Sequence, residues 1–225
     1  MKITYYGHSC FGIESGEIKL IFDPFISPNE LAKSIDVNTI KADFVLLSHG
    51  HGDHVADVET IASANGSTVV AAYEIASYYG AKGLKYHPMN IGGRWDFGKW
   101  KVKAVNAVHS SVFNDGTYAG NPMGFVIEIE GKRFYYSGDT ALHMDMQLIG
   151  KMHKPDFAFL CMGDNFTMGP EDALVAAEYI QCSNIIGMHF DTFPYIRIDH
   201  QKTISNFEAA GVKLMLPSIG QSWEL

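Results

Sequence analysis

One stretch of this chain, Ser48-His-Gly-His-Gly-Asp-His54, restricts its fold more than any other. It places four potential metal ligands, His49, His51, Asp53 and His54, within six residues. Just before it, Phe44–Leu47 is a short apolar run that reads as a strand buried on both faces. The chain must leave that strand and gather imidazoles and a carboxylate at one point. In extended backbone, residues two apart point the same way, so His49 and His51 can pinch one ion between them. Asp53 and His54 follow a glycine that lets the chain turn, and can face a second ion. Gly50 and Gly52 are read as permitting the tight path that converging ligands need.

The rest of the sequence alternates strands with helices. Ile3–Tyr6, Phe11–Glu14 and Lys19–Phe22 read as strands, with Ser15-Gly16 as a hairpin turn and Asp23-Pro24 as the stop. Further strands are expected at Thr68–Ala72, Val102–Val108, Phe125–Ile129, Arg133–Tyr136, Phe157–Met162, Ile185–Met188 and Val212–Leu216. Glu130-Gly131 supplies the turn of a second hairpin. Val58, Ile61 and Ala62 share a helical face, as do Ala173, Leu174, Ala177 and Ile180 behind Pro170, which stands in the favoured first helical position. A last helix is expected near Gln201–Ala210. The segment from Phe125 to Asp139 resembles that from Phe11 to Asp23: each is a hairpin followed by an aspartate, a hint of internal duplication. Hairpins combined with strand–helix alternation indicate an α/β fold with a mixed sheet. No linker, charge block or low-complexity run interrupts the chain, so a single domain over residues 1–225 is expected.

Two ions need more than four ligands. His109, Asp139 and His189 each follow an expected strand. Sites in α/β sheets gather at the carboxyl ends of strands, so one rim would carry all seven residues. Asp139, with two carboxylate oxygens, can bridge both ions. An all-His/Asp set suits zinc, and manganese or iron as well.

Composition narrows the partners. With 225 residues the chain can bury a sizeable core without staples. A net charge of −8 repels a phosphate backbone, so no nucleic-acid partner is expected. Cys10, Cys161 and Cys182 are odd in number and match no paired spacing, which points to buried thiols in a reducing compartment. The N-terminal residues lack a signal-peptide apolar core, and no stretch approaches the ~18 apolar residues that cross a bilayer. The expectation is a cytoplasmic protein with a small-molecule substrate and no membrane association.

The H-x-H-x-D-H pattern at His49–His54, the Ser-Gly-Asp-Thr around Asp139 and the lone histidines 109 and 189 resemble the metallo-β-lactamase superfamily. Tyr6-Gly7-His8-Ser9, Asn121-Pro122-Met123-Gly124 and Gly163-Asp-Asn-Phe-Thr-Met-Gly-Pro170 are similar to its branch of ascorbate-6-phosphate lactonase-like proteins and metal-dependent hydrolases. The resemblance implies a four-layer αβ/βα sandwich with two mixed β-sheets. It implies one site of His49, His51 and His109, another of Asp53, His54 and His189, and Asp139 between them. Asp139 stands where some true β-lactamases carry cysteine, which weakens a specific antibiotic-hydrolase reading.

The expected chemistry is hydrolysis of a small ester, lactone or phosphoester, because two cations acidify a shared water. Asp53 is the candidate for orienting that water and relaying its proton. His8 could approach the rim, and Asp23 could hydrogen-bond a ligand histidine. Thr167, before the helix at Pro170, could help bind a substrate anion. Ser110–Gly120 reads as a mobile rim. His87, His143, His153 and His200 have no matching context. The rival readings are a nuclease, which the acidic charge opposes, and a metal-binding sensor or scaffold without activity.

Overall fold

The computed structural model of the protein describes residues Met1–Leu225. Its contacts divide into two compact units built from interleaved segments. The first comprises Met1–Ile91, Ser110–Pro122 and Ser218–Leu225; the second comprises Gly92–His109 and Met123–Pro217.

The first unit is organised on a seven-stranded mixed sheet. Strands β1 (Lys2–Gly7), β2 (Cys10–Ser15) and β3 (Ile18–Phe22) form an antiparallel meander. Strands β4 (Phe44–Leu46), β5 (Thr68–Ala72) and β6 (Lys85–Met89) then add in parallel, while Ser222–Glu224 returns antiparallel to β1. The first hairpin turns at Gly16-Glu17, one residue beyond the expected Ser15-Gly16, because Ser15 still pairs with Ile18. Parallel neighbours require crossovers. These are helices α1 (Gly52–Val55) and α2 (Val58–Asn65) before β5, and α3 (Tyr73–Ala81) before β6. Val58, Ile61 and Ala62 are the buried face of α2, as their spacing predicts.

The second unit repeats the plan. Strands β7 (Arg94–Asp96), β8 (Trp100–Asn106), β9 (Met123–Ile129) and β10 (Lys132–Tyr136) pair antiparallel; β11 (Phe157–Cys161), β12 (Asn184–Met188) and β13 (Lys213–Met215) add in parallel. Helices α4 (Met146–His153), α5 (Pro170–Tyr179) and α6 (His200–Ala209) make the crossovers. Glu130 and Gly131 both have positive φ, +47° and +76°, which matches the right-handed twist of the flanking strands. All five residues of β11 are buried, so its run is apolar without alternation.

The hinted duplication is therefore complete at the level of pairing. Both β1–β6 and β8–β13 take two antiparallel steps and then three parallel ones. Each sheet gains one antiparallel edge strand, Ser222–Glu224 (β14) on β1 and β7 on β8. In each half an aspartate follows the third strand: Asp23 after β3 and Asp139 after β10. Two mixed sheets, each with its own helices, are the layers of an α/β fold.

Candidate metal centre

In the first unit, β4 delivers the motif into the start of α1. His51 is the N-cap of that helix, with extended backbone (φ −64°, ψ 146°). His49 Nε2 and His51 Nδ1 lie 3.0 Å apart, as residues two apart in extended chain should. Asp53 and His54 sit within α1, with the His54 ring centroid 4.1 Å from that of His49. Asp53 Oδ2 faces His8 Nε2 at 3.2 Å, and His54 Nδ1 donates to Asp23 Oδ2 at 2.9 Å. His8 and Asp23 are fully buried and both adopt positive φ, +57° and +41°. Such backbone is uncommon outside glycine and concentrates at functional sites.

Asp23 organises the imidazoles. Its Oδ1 accepts the Ser48 backbone N–H at 2.8 Å, and its Oδ2 accepts the Ser48 hydroxyl at 2.5 Å. With its only proton given to Asp23, Ser48 Oγ accepts from His49 Nδ1 at 2.9 Å. That network leaves Nε2 as the lone-pair nitrogen of His49. His54 gives its Nδ1 proton to Asp23 and likewise keeps a lone pair on Nε2. His51 Nε2 reaches Ser110 Oγ at 3.3 Å; when it donates there, Nδ1 keeps the lone pair. Two imidazole lone pairs then face each other across 3.0 Å, which is unfavourable without a cation. A tetrahedral ion with bonds of 2.0–2.1 Å holds two nitrogens about 3.3 Å apart. The donor set therefore fits a metal. Ligand atoms of His8, Asp53 and His54 also lie within 4.8 Å of one another, as do those of Asp23, His49 and His54.

The glycines of the motif serve a different purpose from the one expected. Neither Gly50 nor Gly52 has positive φ. A Cβ on Gly50 would meet Ala119 Cβ at 2.3 Å, and one on Gly52 would meet the Asn114 side chain at 2.6 Å. Both make room for Ser110–Gly120, which is a docked hairpin: Val112 bridges Tyr118, the Gly50 N–H reaches Ser111 Oγ at 3.2 Å, and Phe113 stacks on Tyr78 at 4.2 Å.

In the second unit, β8 ends at Asn106, short of the expected Val108. The Val108 N–H donates to Thr140 Oγ1 at 2.9 Å, and its carbonyl accepts from the Ala141 N–H at 3.0 Å. These bonds draw His109 beside Asp139. Asp139 Oδ2 lies 2.9 Å from His189 Nε2 and 3.7 Å from His109 Nε2. Asp139 and His189 are buried. Next to them, burial pushes the Cys161 thiol up to about 12, with the charge of Asp139 adding to the effect. Cys161 therefore stays protonated, and all three cysteines are free and buried.

Thr167 donates its hydroxyl proton to Met168 O at 3.2 Å. The Asp164 side chain lies against Gly169, and Glu171 and Asp172 occupy the first turn of α5. The local field at that helix start is already negative.

Sequence reasoning passed over Ser48, Ser111 and Asp57. Ser48 adjoins the motif, which was the available signal. Asp57 carried none; its carboxylate accepts the Ile26 and Ser27 N–H groups at 2.6 and 2.9 Å and so fixes the chain leaving Asp23. His200, set aside in the sequence, pairs with Asp191 at 2.6 Å.

A family model described as a beta-lactamase superfamily domain matches residues 2–189, a span that includes every histidine and aspartate proposed as a ligand. The chain belongs to this superfamily. A UPF0173 metal-dependent hydrolase of Flavobacterium johnsoniae is 56% identical over 225 residues, covering all of both chains. The UPF0173 metal-dependent hydrolase YtkL of Bacillus subtilis is 44% identical over 230 residues, again covering both chains in full. Among solved structures, Igni18, a metallo hydrolase of Ignicoccus hospitalis, is 32% identical with a TM-score of 0.89, covering 100% of this chain and 98% of its own. As a superfamily member with such relatives, the protein is a metal-dependent hydrolase with the α/β metallo-β-lactamase fold. No helix is long and apolar enough to cross a membrane.

Proposed function

We propose that the protein is a binuclear metal hydrolase of small esters, lactones or phosphoesters. In this reading His49, His51 and His109 would hold one divalent ion, Asp53, His54 and His189 would hold the other, and Asp139 would contribute to both. Zinc is the first candidate, with manganese and iron open to the same ligands. The observation that carries the reading is the pair of facing imidazole nitrogens at His49 and His51, whose outer nitrogens are engaged by Ser48 and Ser110. The sharing of one Asp139 oxygen between His109 and His189 supports it from the second unit.

When bound, such ions supply Lewis acidity, which lowers the pKa of a water and polarises the carbonyl or phosphoryl oxygen of the substrate. The chain's own residues do the rest. Asp53, 28% exposed, is the carboxylate able to take a proton from the attacking water and pass it on. His8 faces one of its oxygens and so fixes its orientation. Asp23 holds Ser48 and His54, and through Ser48 it sets the ring of His49.

Turnover of an ester, a lactone and a phosphodiester, measured with metal counts, tests the reading. Asp53→Ala and Asp139→Ala should each lower metal-dependent turnover by roughly two orders of magnitude or more, with Asp139→Ala also losing metal. His153→Ala should change little. Wild-type turnover by Asp53→Ala with both metals retained would remove Asp53 from the mechanism. A fully metallated wild type inert on the whole panel would favour a sensor or scaffold.

A further inference from the structure

Two aromatic side chains of the second unit stand in solvent on loops built to keep them there. Phe166 is 52% exposed and Tyr195 is 74% exposed. Their ring centroids lie 6.3 Å apart at 75°, an edge-to-face contact.

Neither loop is slack. Around Phe166, the Asp164 N–H donates to Met168 O at 3.0 Å, Asp164 Oδ1 accepts the Asn165 N–H at 2.8 Å, and Met168 is fully buried. Asp164 and Asn165 adopt consecutive positive φ values, +61° and +53°. A turn with this backbone persists only where its surroundings hold it. Tyr195 lies in a short 3-10 turn between Pro194 and the fully buried Ile196. Asp191 closes that loop: its N–H donates to Ile196 O at 2.8 Å, Oδ1 accepts the Ile198 N–H at 3.2 Å, and Oδ2 lies 2.6 Å from His200 Nε2.

Both loops are fastened to the residues proposed as ligands. The Met168 N–H donates to Thr140 O at 2.9 Å, one residue from Asp139. Gly163, at the base of the Phe166 loop, packs so closely that a Cβ there would lie 2.1 Å from His189 O and 2.8 Å from Ile196 Cβ. Tyr195 is thus carried on the loop that carries His189, and Phe166 on the loop after β11, which is bonded through Met168 to the loop after β10 that carries Asp139.

We propose that Phe166 and Tyr195 form an apolar platform that takes the hydrophobic portion of the substrate, and that the substrate is an ester or lactone bearing an aryl or alkyl group. The inference rests on the hydrolase reading above. A compact phosphorylated substrate is the poorer fit, because Asp164, Glu171 and Asp172 surround the neighbouring helix start with negative charge. Rings held rigidly in water lose little conformational freedom when a ligand covers them.

The test uses the metal-loaded full chain, with methyl phenylacetate against methyl acetate as substrates and phenylacetate against acetate as calorimetric probes. Wild type should bind phenylacetate roughly ten-fold or more tightly than acetate. The double variant Phe166→Ala/Tyr195→Ala should lose that preference, with KM for methyl phenylacetate rising by a similar factor. Its metal content and its kcat/KM for methyl acetate should stay within about two-fold of wild type. Phe166→Leu should keep part of the preference. If wild type turns over neither ester, the ester part of that reading fails and calorimetry still decides the platform. Equal affinity for the two carboxylates, or a preference that survives the double variant, overturns the proposal. So would a change of oligomeric state in the double variant with selectivity intact, since the rings would then be a subunit contact.

Discussion

Asp23 shows how one buried carboxylate can set the chemistry of two rings. It accepts from Ser48 twice and from His54 once, and both His49 and His54 are left with Nε2 as the nitrogen that carries the lone pair. Asp23→Asn places an amide where donors now converge and breaks this arrangement. Metal affinity should fall by roughly 10–100-fold, read by competition with a chromophoric chelator, while circular dichroism reports an intact fold. Unchanged affinity would reduce Asp23 to a turn residue. His143 makes a different prediction. Neither of its ring nitrogens has a hydrogen-bond partner, and burial lowers its pKa below the ordinary 6.5, partly opposed by Asp145. The unfolded chain therefore takes up this proton at higher pH than the folded one. The stability that depends on neutral His143 is present above pH 6.5 and is lost as the pH falls below it. Urea unfolding at pH 7.5 and pH 5.5 should show a smaller acid loss in His143→Gln than in wild type; equal losses would contradict the assignment.

At the scale of elements, strand ends and the loops that leave them do the positioning. Gly163 follows β11 and Gly52 opens α1, and they make opposite predictions. A Cβ on Gly163 meets a backbone carbonyl, that of His189, at 2.1 Å, which no rotamer change relieves. Gly163→Ala should cost about 1–3 kcal/mol by overpacking and should also weaken metal binding, because the displaced carbonyl belongs to a proposed ligand. A Cβ on Gly52 meets only the end of the flexible, exposed Asn114 side chain. Gly52→Ala should stay within about 0.5 kcal/mol of wild type. Denaturant melts and metal titrations on the two variants check the contrast; equal damage would mean the loops yield more readily than their packing implies.

For the whole molecule, metal that binds the native state and not the unfolded chain should stabilise the fold by mass action. At a free metal concentration of one hundred times Kd, the stabilisation is about 2.7 kcal/mol. For a chain of this size that corresponds to a rise in Tm of roughly 5–10 °C. Chelation should reverse the rise and added metal should restore it. No shift, in protein shown beforehand to contain metal, would mean that the ions do not stabilise the fold.

Much of this was legible in one dimension. The motif at His49–His54, the positions of Asp139 and His189 after their strands, the two hairpins and the amphipathic α2 and α5 all follow from local spacing. Neighbours along the chain set periodicity and turn chemistry, and those rules need no fold. Helices α3 and α4 were not foreseen: like α2 and α5 they lack a side-chain capping bond, and unlike α5 they have no proline to mark their start. The purpose of Gly50 was misread for a related reason, since Ala119 lies 69 residues further on and its approach leaves no local signature. Asp23 was legible as a partner for a ligand histidine; tertiary structure decided that the histidine would be His54, 31 residues on, that Ser48, 25 residues on, would join it, and that Val108 would leave its strand to bond Thr140. The sequence by itself determined which side chains were able to bind metal. Which nitrogen each imidazole offers depends on hydrogen bonds to Asp23, Ser48 and Ser110, and only the folded chain brings those donors and acceptors to 2.5–3.3 Å of each other.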